Sequence, residues 1–123
     1  MATLIPSEAG LLDITLDQGA DRTIINTWKD SEGALMDLTG YTGVMQIRET
    51  KSGTEALLEL TTENGGLAMG GVAGTITMVF TDTQTAALDF DEGTYDLLLY
   101  DSTMKARRLL QGKIINSKST TRP

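Results

Sequence analysis

Apolar and polar residues alternate one by one along much of the chain between Trp28 and Ile115. The alternation is clearest in GVMQIRE (43–49), GTITMVF (74–80) and TYDLLLY (94–100). A period of two places apolar side chains on one face of a β-strand. Glycine-rich and Asn/Asp-rich turns recur between these segments, and only residues 81–88 have a helix-like pattern. The sequence therefore predicts an all-β, antiparallel sandwich of eight or nine short strands.

Other predicted strands are less regular. LLDITL (11–16) is the first, DRTIINTW (21–28) the second, Ala34–Asp37 a short one after a turn, and RRLLQGKII (107–115) the last. Trp28 shares the phase of Ile24, so we expect a core residue and not a ligand platform. The predicted core comprises Ile24, Trp28, Met45, Ile47, Leu58, Leu60, Ile76, Met78, Phe80, Tyr95, Leu97, Leu99 and Leu110.

The domain organisation follows from length and composition. A chain of 123 residues is typical of one domain. We predict an N-terminal arm over residues 1–10, the sandwich over 11–116 and a flexible polar tail over 117–123. The first residues lack the basic and apolar runs of a secretory signal, and no apolar stretch approaches a membrane span. We therefore expect no membrane association.

The residue types argue against catalysis. The chain has no histidine and no cysteine, the side chains most used for acid–base and nucleophilic chemistry near neutral pH. Asp89, Asp91 and Glu92 resemble half of a calcium loop but lack its remaining ligands, so we expect Phe90 to pack inward between solvated neighbours. We predict no enzyme, no catalytic residues, no metal site and no cofactor.

Charge is unevenly distributed. Residues 1–101 carry all 17 acidic residues and four basic ones, a net charge of −13, whereas residues 102–123 carry six basic residues and no acid. The acidic body should repel nucleic acid. The basic end either docks on an acidic surface or is simply solvated. Leu98 and Tyr100 lie on the second face of their strand. We predict partner contacts at these two residues and at Lys105, Arg107 and Arg108.

Four stretches together resemble a family: residues 23–49, 57–69, 74–88 and 93–114. Their order is similar to the small immunoglobulin-like β-sandwich domains of tailed-phage virions, such as the N-terminal domains of upper baseplate or fibre-adaptor proteins. The resemblance covers roughly residues 20–115. It implies an immunoglobulin-like sandwich and no catalytic or metal residues.

The resemblance also implies a function. We expect a non-enzymatic virion protein of the tail, collar or baseplate, made in the host cytoplasm. It would bind other virion proteins and form a symmetric ring of identical subunits. A head decoration protein is the first alternative. A virion carbohydrate-binding module is the second, and it would need an exposed aromatic platform supplied by Tyr41, Tyr95 or Tyr100.

Overall fold

The computed structural model describes residues 3–4, 10–30 and 32–118, with only the backbone described for Thr3–Leu4. These residues form ten strands, one short α-helix, α1 (Asp82–Ala86), and a 3-10 turn at Gly71–Ala73. The strands are β1 (Thr3–Leu4), β2 (Gly10–Leu11), β3 (Ile14–Asp17), β4 (Arg22–Trp28), β5 (Thr42–Arg48), β6 (Leu58–Thr61), β7 (Leu67–Met69), β8 (Thr75–Phe80), β9 (Glu92–Tyr100) and β10 (Ala106–Ser117).

Two sheets pack face to face. The small sheet has the order β1-β4-β8-β7. The large sheet has the order β2-β10-β9-β5-β6, with β3 lying beyond β2 along the same edge of β10. The orders match the A-B-E-D and G-F-C-C′ sheets of immunoglobulin-like domains. The pairs that β1, β2 and β3 make are parallel, and the other pairs are antiparallel. The chain is an all-β, immunoglobulin-like sandwich, as predicted.

Period-two alternation fixes which side chains enter the core. In β5, β8 and β9 every second residue is buried, as the apolar pattern requires. Eleven of the thirteen predicted core residues are buried, whereas Ile24 and Leu58 are half-buried against the core. The predicted core did not include several other buried residues: Ile14, Leu16, Leu38, Leu67, Leu88, Leu109 and Ile114.

Two predicted strands differ from the structure. The prediction of a strand over Ala34–Asp37 was wrong. This segment makes only an isolated β-bridge, between Leu35 and Lys29. The Asp30 carboxylate accepts the N–H groups of Glu32 and Ala34, and these main-chain donors are then satisfied without a ladder. The predicted first strand is split into β2 and β3. Between them, the Lys113 N–H donates to the Asp13 carboxylate and not to a backbone carbonyl, which interrupts the ladder.

The terminal segments are described only in part. Thr3–Leu4 pair with Thr27–Trp28, while the rest of the predicted arm up to residue 9 lies outside the described residues. Strand β10 extends to Ser117, one residue into the predicted tail, and residues 119–123 also lie outside the described part.

Candidate functional site

The five predicted partner-contact residues fall into two groups. Leu97 and Leu99 are buried, so Leu98 and Tyr100 lie on the opposite, outer face of the large sheet. Arg108 pairs in register with Leu98 and shares that face. Arg107 pairs with Leu99 and points to the inner side of the sheet, and Lys105 lies in the β9–β10 turn. The structure thus brings Leu98, Tyr100 and Arg108 together and separates them from Lys105 and Arg107.

Adjacency places Arg107 and Arg108 on opposite faces, and a β-bulge after Arg108 lets Arg108 face outward although Leu110 faces the core. The β9–β10 register shifts between Arg108, opposite Leu98, and Leu110, opposite Leu97. The extra residue, Leu109, is fully buried, and so is Leu110. A bulge of this kind turns the strand and changes which face the following side chains occupy. The bulge could not be predicted from the alternation of apolar and polar residues. In an unbroken strand, adjacent residues face opposite sides, so either Leu109 or Leu110 would be expected on the exposed face.

The centre of the outer face is apolar. Leu98 lies between Val44 of β5 and Arg108 of β10, and Tyr100 lies between Thr42 and Ala106. Val44, Leu98 and Tyr100 are half-buried. Sequence reasoning missed Val44, although it is the apolar residue on the polar face of GVMQIRE. We call Val44, Leu98 and Tyr100 the outer apolar stripe.

Polar groups border this stripe. Arg108 Nε lies 3.4 Å from Asp96 Oδ2. Next to that ion pair, Arg48 donates to the side chain of Gln46 over 2.7 Å, and Gln46 donates to Glu59 over 2.6 Å. Of these side chains, those of Gln46, Arg48, Asp96 and Arg108 line a shallow depression of about 160 Å³. The face thus has an apolar centre and a hydrogen-bonded polar border, the usual composition of a protein-contact surface.

Arg107 contacts the core tryptophan. Its guanidinium carbon lies 5.6 Å from the centre of the Trp28 ring, a cation–π arrangement, and Tyr41 meets the same ring edge-on at 6.2 Å. Trp28 itself is 1% exposed, which confirms it as a core residue. Arg107 therefore covers part of the sandwich end, and its cation is held by an aromatic ring of its own chain.

The β9–β10 turn places an apolar side chain next to Lys105. Met104 adopts a positive φ of 65° and is exposed. The Asp101 carboxylate holds the turn by accepting bonds from Thr103 and from the Lys105 N–H. The Thr103 hydroxyl, followed by that N–H, keeps the pKa of Asp101 below its usual value. The sequence prediction named Lys105 in this turn but not Met104.

Much of the basic C-terminal charge is matched within the chain. Besides the Arg108–Asp96 pair, Lys113 Nζ lies 3.2 Å from Glu92, and Lys118 Nζ lies 3.8 Å and 3.6 Å from Asp89 and Asp91. All are exposed, so each pair contributes about 0.2–1 kcal/mol. Docking of the basic end on a neighbouring subunit remains a prediction, but within the described part only Lys105 and Arg107 lack an acidic partner in this segment.

The calcium-like segment and the tyrosine platform can also be located. Phe90 is buried while Asp89, Asp91 and Glu92 are exposed, as predicted. Of the three tyrosines, Tyr95 was a wrong choice for an exposed platform, because it is 3% exposed and its hydroxyl donates to the Leu12 carbonyl over 2.6 Å. Tyr41 packs against Trp28, whereas Tyr100 lies on the outer face.

The residues that the structure describes contain no group of three or more His, Cys, Asp or Glu side chains placed to hold a metal ion. Among residues 10–30 and 32–118 with Thr3–Leu4, no helix has the length and apolar character needed to span a membrane.

Two solved structures align with most of this chain at low sequence identity. No protein-family model matches the chain, and a search of curated protein sequences found no relative. Among solved structures, extracellular domains 3–5 of Drosophila OTK are 13% identical with a TM-score of 0.41. The alignment covers 92% of this chain and 35% of that one, so this chain spans about a third of that structure. Murine CRIg is 13% identical with a TM-score of 0.40, over 88% of this chain and 92% of CRIg.

Proposed function

We propose that this chain is a non-enzymatic assembly module that binds other proteins through the outer face of the large sheet. The observation that carries the proposal is the position of Leu98, an apolar side chain between Val44 and Arg108 on a face that the core does not use. Burying an apolar centre inside a polar border stabilises a complex, while a contact made only of exposed ion pairs contributes little.

The proposed setting is a phage virion, where the module would belong to the tail, collar or baseplate. The resemblance of residues 20–115 to the small immunoglobulin-like domains of tailed-phage virions supports this setting. In it, the partners are other virion proteins and further copies of the chain in a symmetric ring. A head decoration protein would use the same surface and differ only in the place of attachment. The burial of Tyr95 weighs against the carbohydrate-binding alternative.

The test compares two variants, each of which introduces one carboxylate on the outer face of a different sheet. Leu98→Glu places a carboxylate in the outer apolar stripe, and Val79→Glu places one on the outer face of the small sheet. Both residues are half-buried and lie in central strands. A charge buried in an interface is costly, and the neighbouring Arg108 already pairs with Asp96, so Leu98→Glu should reduce incorporation into particles by about tenfold or more. Val79→Glu should be incorporated normally.

Quantitative mass spectrometry of purified particles measures incorporation, and circular dichroism with thermal unfolding shows that each variant is folded. Equal incorporation of the two variants would contradict the assignment of the outer face. A wild-type chain that is absent from particles would contradict the virion setting, whatever the variants do.

A further inference from the structure

Within the described part of the chain, the β4 edge of the small sheet is unpaired over most of its length. Strand β4 pairs with β8 along one edge. On its other edge, among the described residues, it pairs with β1 only at Thr27 and Trp28, and no strand pairs with that edge over Arg22–Asn26. Trp28 donates its N–H to Gly74, on the β8 side. Since main-chain groups in a strand alternate between its two sides, Thr23 and Ile25 direct their N–H and C=O groups to the open edge. An edge of this kind binds another extended strand.

A groove with an unsatisfied amide follows this edge. It has a volume of about 420 Å³ and runs between Arg22–Asn26 and Leu12–Ile14. Asn26 lines the groove, its side chain is fully buried, and neither Nδ2 nor Oδ1 has a hydrogen-bond partner among the residues that the structure describes. A buried amide without partners costs free energy. Its position therefore indicates a polar group that is supplied when the groove is occupied.

The open stretch is complementary to itself. It contains five residues and is centred on Ile24. If a second copy pairs antiparallel about that centre, Thr23 of each copy faces Ile25 of the other, and their free N–H and C=O groups exchange hydrogen bonds. The same register places Arg22 of one copy directly opposite Asn26 of the other, on the groove side of the strand.

Arg22 suits that position. It is exposed, and it forms no ion pair or hydrogen bond within the described part of the chain beyond its main-chain strand pairing. A guanidinium offers several donors and no acceptor, so it can satisfy the Asn26 carbonyl oxygen. Ile25, 44% exposed, would pack on Thr23 of the second copy on the other face.

We propose that two copies of this chain pair antiparallel through the open edges of β4, about a two-fold axis at Ile24. The pairing joins the two small sheets into one continuous sheet, and it is a closed, isologous contact because each copy supplies the same edge. This inference rests on the proposed assembly function in that it names one of its partners. It uses a different surface, so the two can fail separately.

Sedimentation equilibrium tests the contact with a matched pair of variants. Ile25→Lys places a charge on the open edge. Ile115→Lys changes an isoleucine that is 41% exposed on β10 of the large sheet. We expect a wild-type dimer in the micromolar range, at least about tenfold weaker association for Ile25→Lys, and an unchanged dimer for Ile115→Lys. A wild-type monomer at about 1 mM, or equal loss in both variants, would overturn the proposal.

Disulfide formation tests the register. The chain has no cysteine, so a single introduced cysteine can cross-link only to itself in a second copy. At the two-fold axis the Cα atoms of the two Ile24 residues would lie about 4.5 Å apart, within disulfide range. Ile24→Cys should form a disulfide dimer under mild oxidation, whereas Ile115→Cys should not. Equal cross-linking of the two, or none at Ile24, would overturn the register.

The outer-face variant separates the two proposals. Leu98→Glu should remain dimeric, because Leu98 lies on the large sheet, away from the β4 edge. A dimer that persists in Leu98→Glu but is lost in Ile25→Lys supports the edge pairing even if particle incorporation is unaffected. Loss of the dimer in Leu98→Glu with retention in Ile25→Lys would assign self-association to the outer face and overturn the edge pairing.

Discussion

The Arg107 guanidinium lies over the indole ring of Trp28 at 5.6 Å, so a residue predicted to contact a partner also covers the largest core side chain. Cation and ring come from opposite sheets, because Trp28 ends β4 and Arg107 lies near the start of β10. This contact closes one end of the sandwich. The two residues can be tested separately: loss of Trp28 should change the free energy of unfolding, and loss of Arg107 should change the fluorescence of the indole.

Replacing Trp28 should cause a large loss of stability. The side chain is 1% exposed and meets Tyr41 edge-on, so Trp28→Ala removes a full aromatic side chain from a packed site. We expect the free energy of unfolding to fall by about 3–5 kcal/mol. Urea unfolding followed by circular dichroism measures the change. A loss below about 1 kcal/mol would place the indole outside the core.

Replacing Arg107 should affect the indole more than the fold. The guanidinium is exposed, and a cation–π contact at such a site contributes about 0.5–1 kcal/mol. Arg107→Ala should shift tryptophan emission to longer wavelength, because water gains access to the ring. Arg108→Ala is the control, since Arg108 pairs with Asp96 on the outer face. Equal emission shifts in the two variants would show that the Arg107 contact does not shield the ring.

Side-chain alternation explains why some elements could be predicted from the sequence and others could not. β8 and β9 each keep one face apolar without interruption, so strand and face follow from the period alone. From Leu12 to Leu16 the alternation is equally regular, yet the strand is interrupted after Leu11 because the Asp13 side chain bonds to Lys113 of another strand. A contact across 100 residues leaves no local signal.

The candidate surfaces show the same limit. Leu98 could be recognised as an apolar residue on a polar face. The separation of Arg107 from Arg108 followed from their adjacency, but the Trp28 contact depends on how the two sheets pack. Asn26 has the phase of Ile24 and Trp28, so the sequence indicates that it faces inward. That its amide finds no partner among the described residues depends on which side chains pack around it, and the alternation does not show this.

Two buried asparagines should respond in opposite directions to leucine. Asn26 has no partner for either amide atom, whereas Asn116 Nδ2 donates to the carbonyls of Leu88 and Phe90 at 3.1 Å and 2.8 Å. Asn26→Leu should raise the free energy of unfolding of the monomer by about 1–2 kcal/mol, and Asn116→Leu should lower it by about 1–3 kcal/mol. Urea unfolding at low protein concentration measures both. Similar losses in both variants would show that Asn26 is satisfied in solution.

Stability should fall at alkaline pH because of Tyr95. Burial, and then the nearby Asp13 carboxylate, raise the pKa of the Tyr95 hydroxyl well above its usual value of 10.0. The unfolded chain ionises this group first, so its contribution to stability is complete below pH 10 and is lost as the pH rises beyond it. Unfolding at about pH 8 and about pH 11 should show a smaller alkaline loss in Tyr95→Phe than in the wild type. Equal losses would contradict the assignment.

Gly112 should tolerate no side chain, because a backbone occupies the space. A Cβ at Gly112 would lie 2.8 Å from the Leu12 carbonyl carbon and closer still to its oxygen. Leu12 cannot retreat freely, since its N–H donates to Gln111 and its carbonyl accepts the Tyr95 hydroxyl. Gly112→Ala should therefore cost about 2–4 kcal/mol, in the range of strained or overpacked core substitutions. Gly43→Ala is the control and should cost less, because its close neighbours are the far ends of the Met69, Leu67 and Leu99 side chains.

A double-mutant cycle shows whether the Gly112 cost arises through Leu12. If the new methyl group displaces the Leu12 carbonyl, it also breaks the hydrogen bond from Tyr95 Oη, which is 2.6 Å long in the native chain. Adding Tyr95→Phe to Gly112→Ala should then cost less than Tyr95→Phe alone, by about 0.5–1.5 kcal/mol. Additive losses in urea unfolding would mean that Leu12 keeps its bond to Tyr95 and that the strain is absorbed by β10.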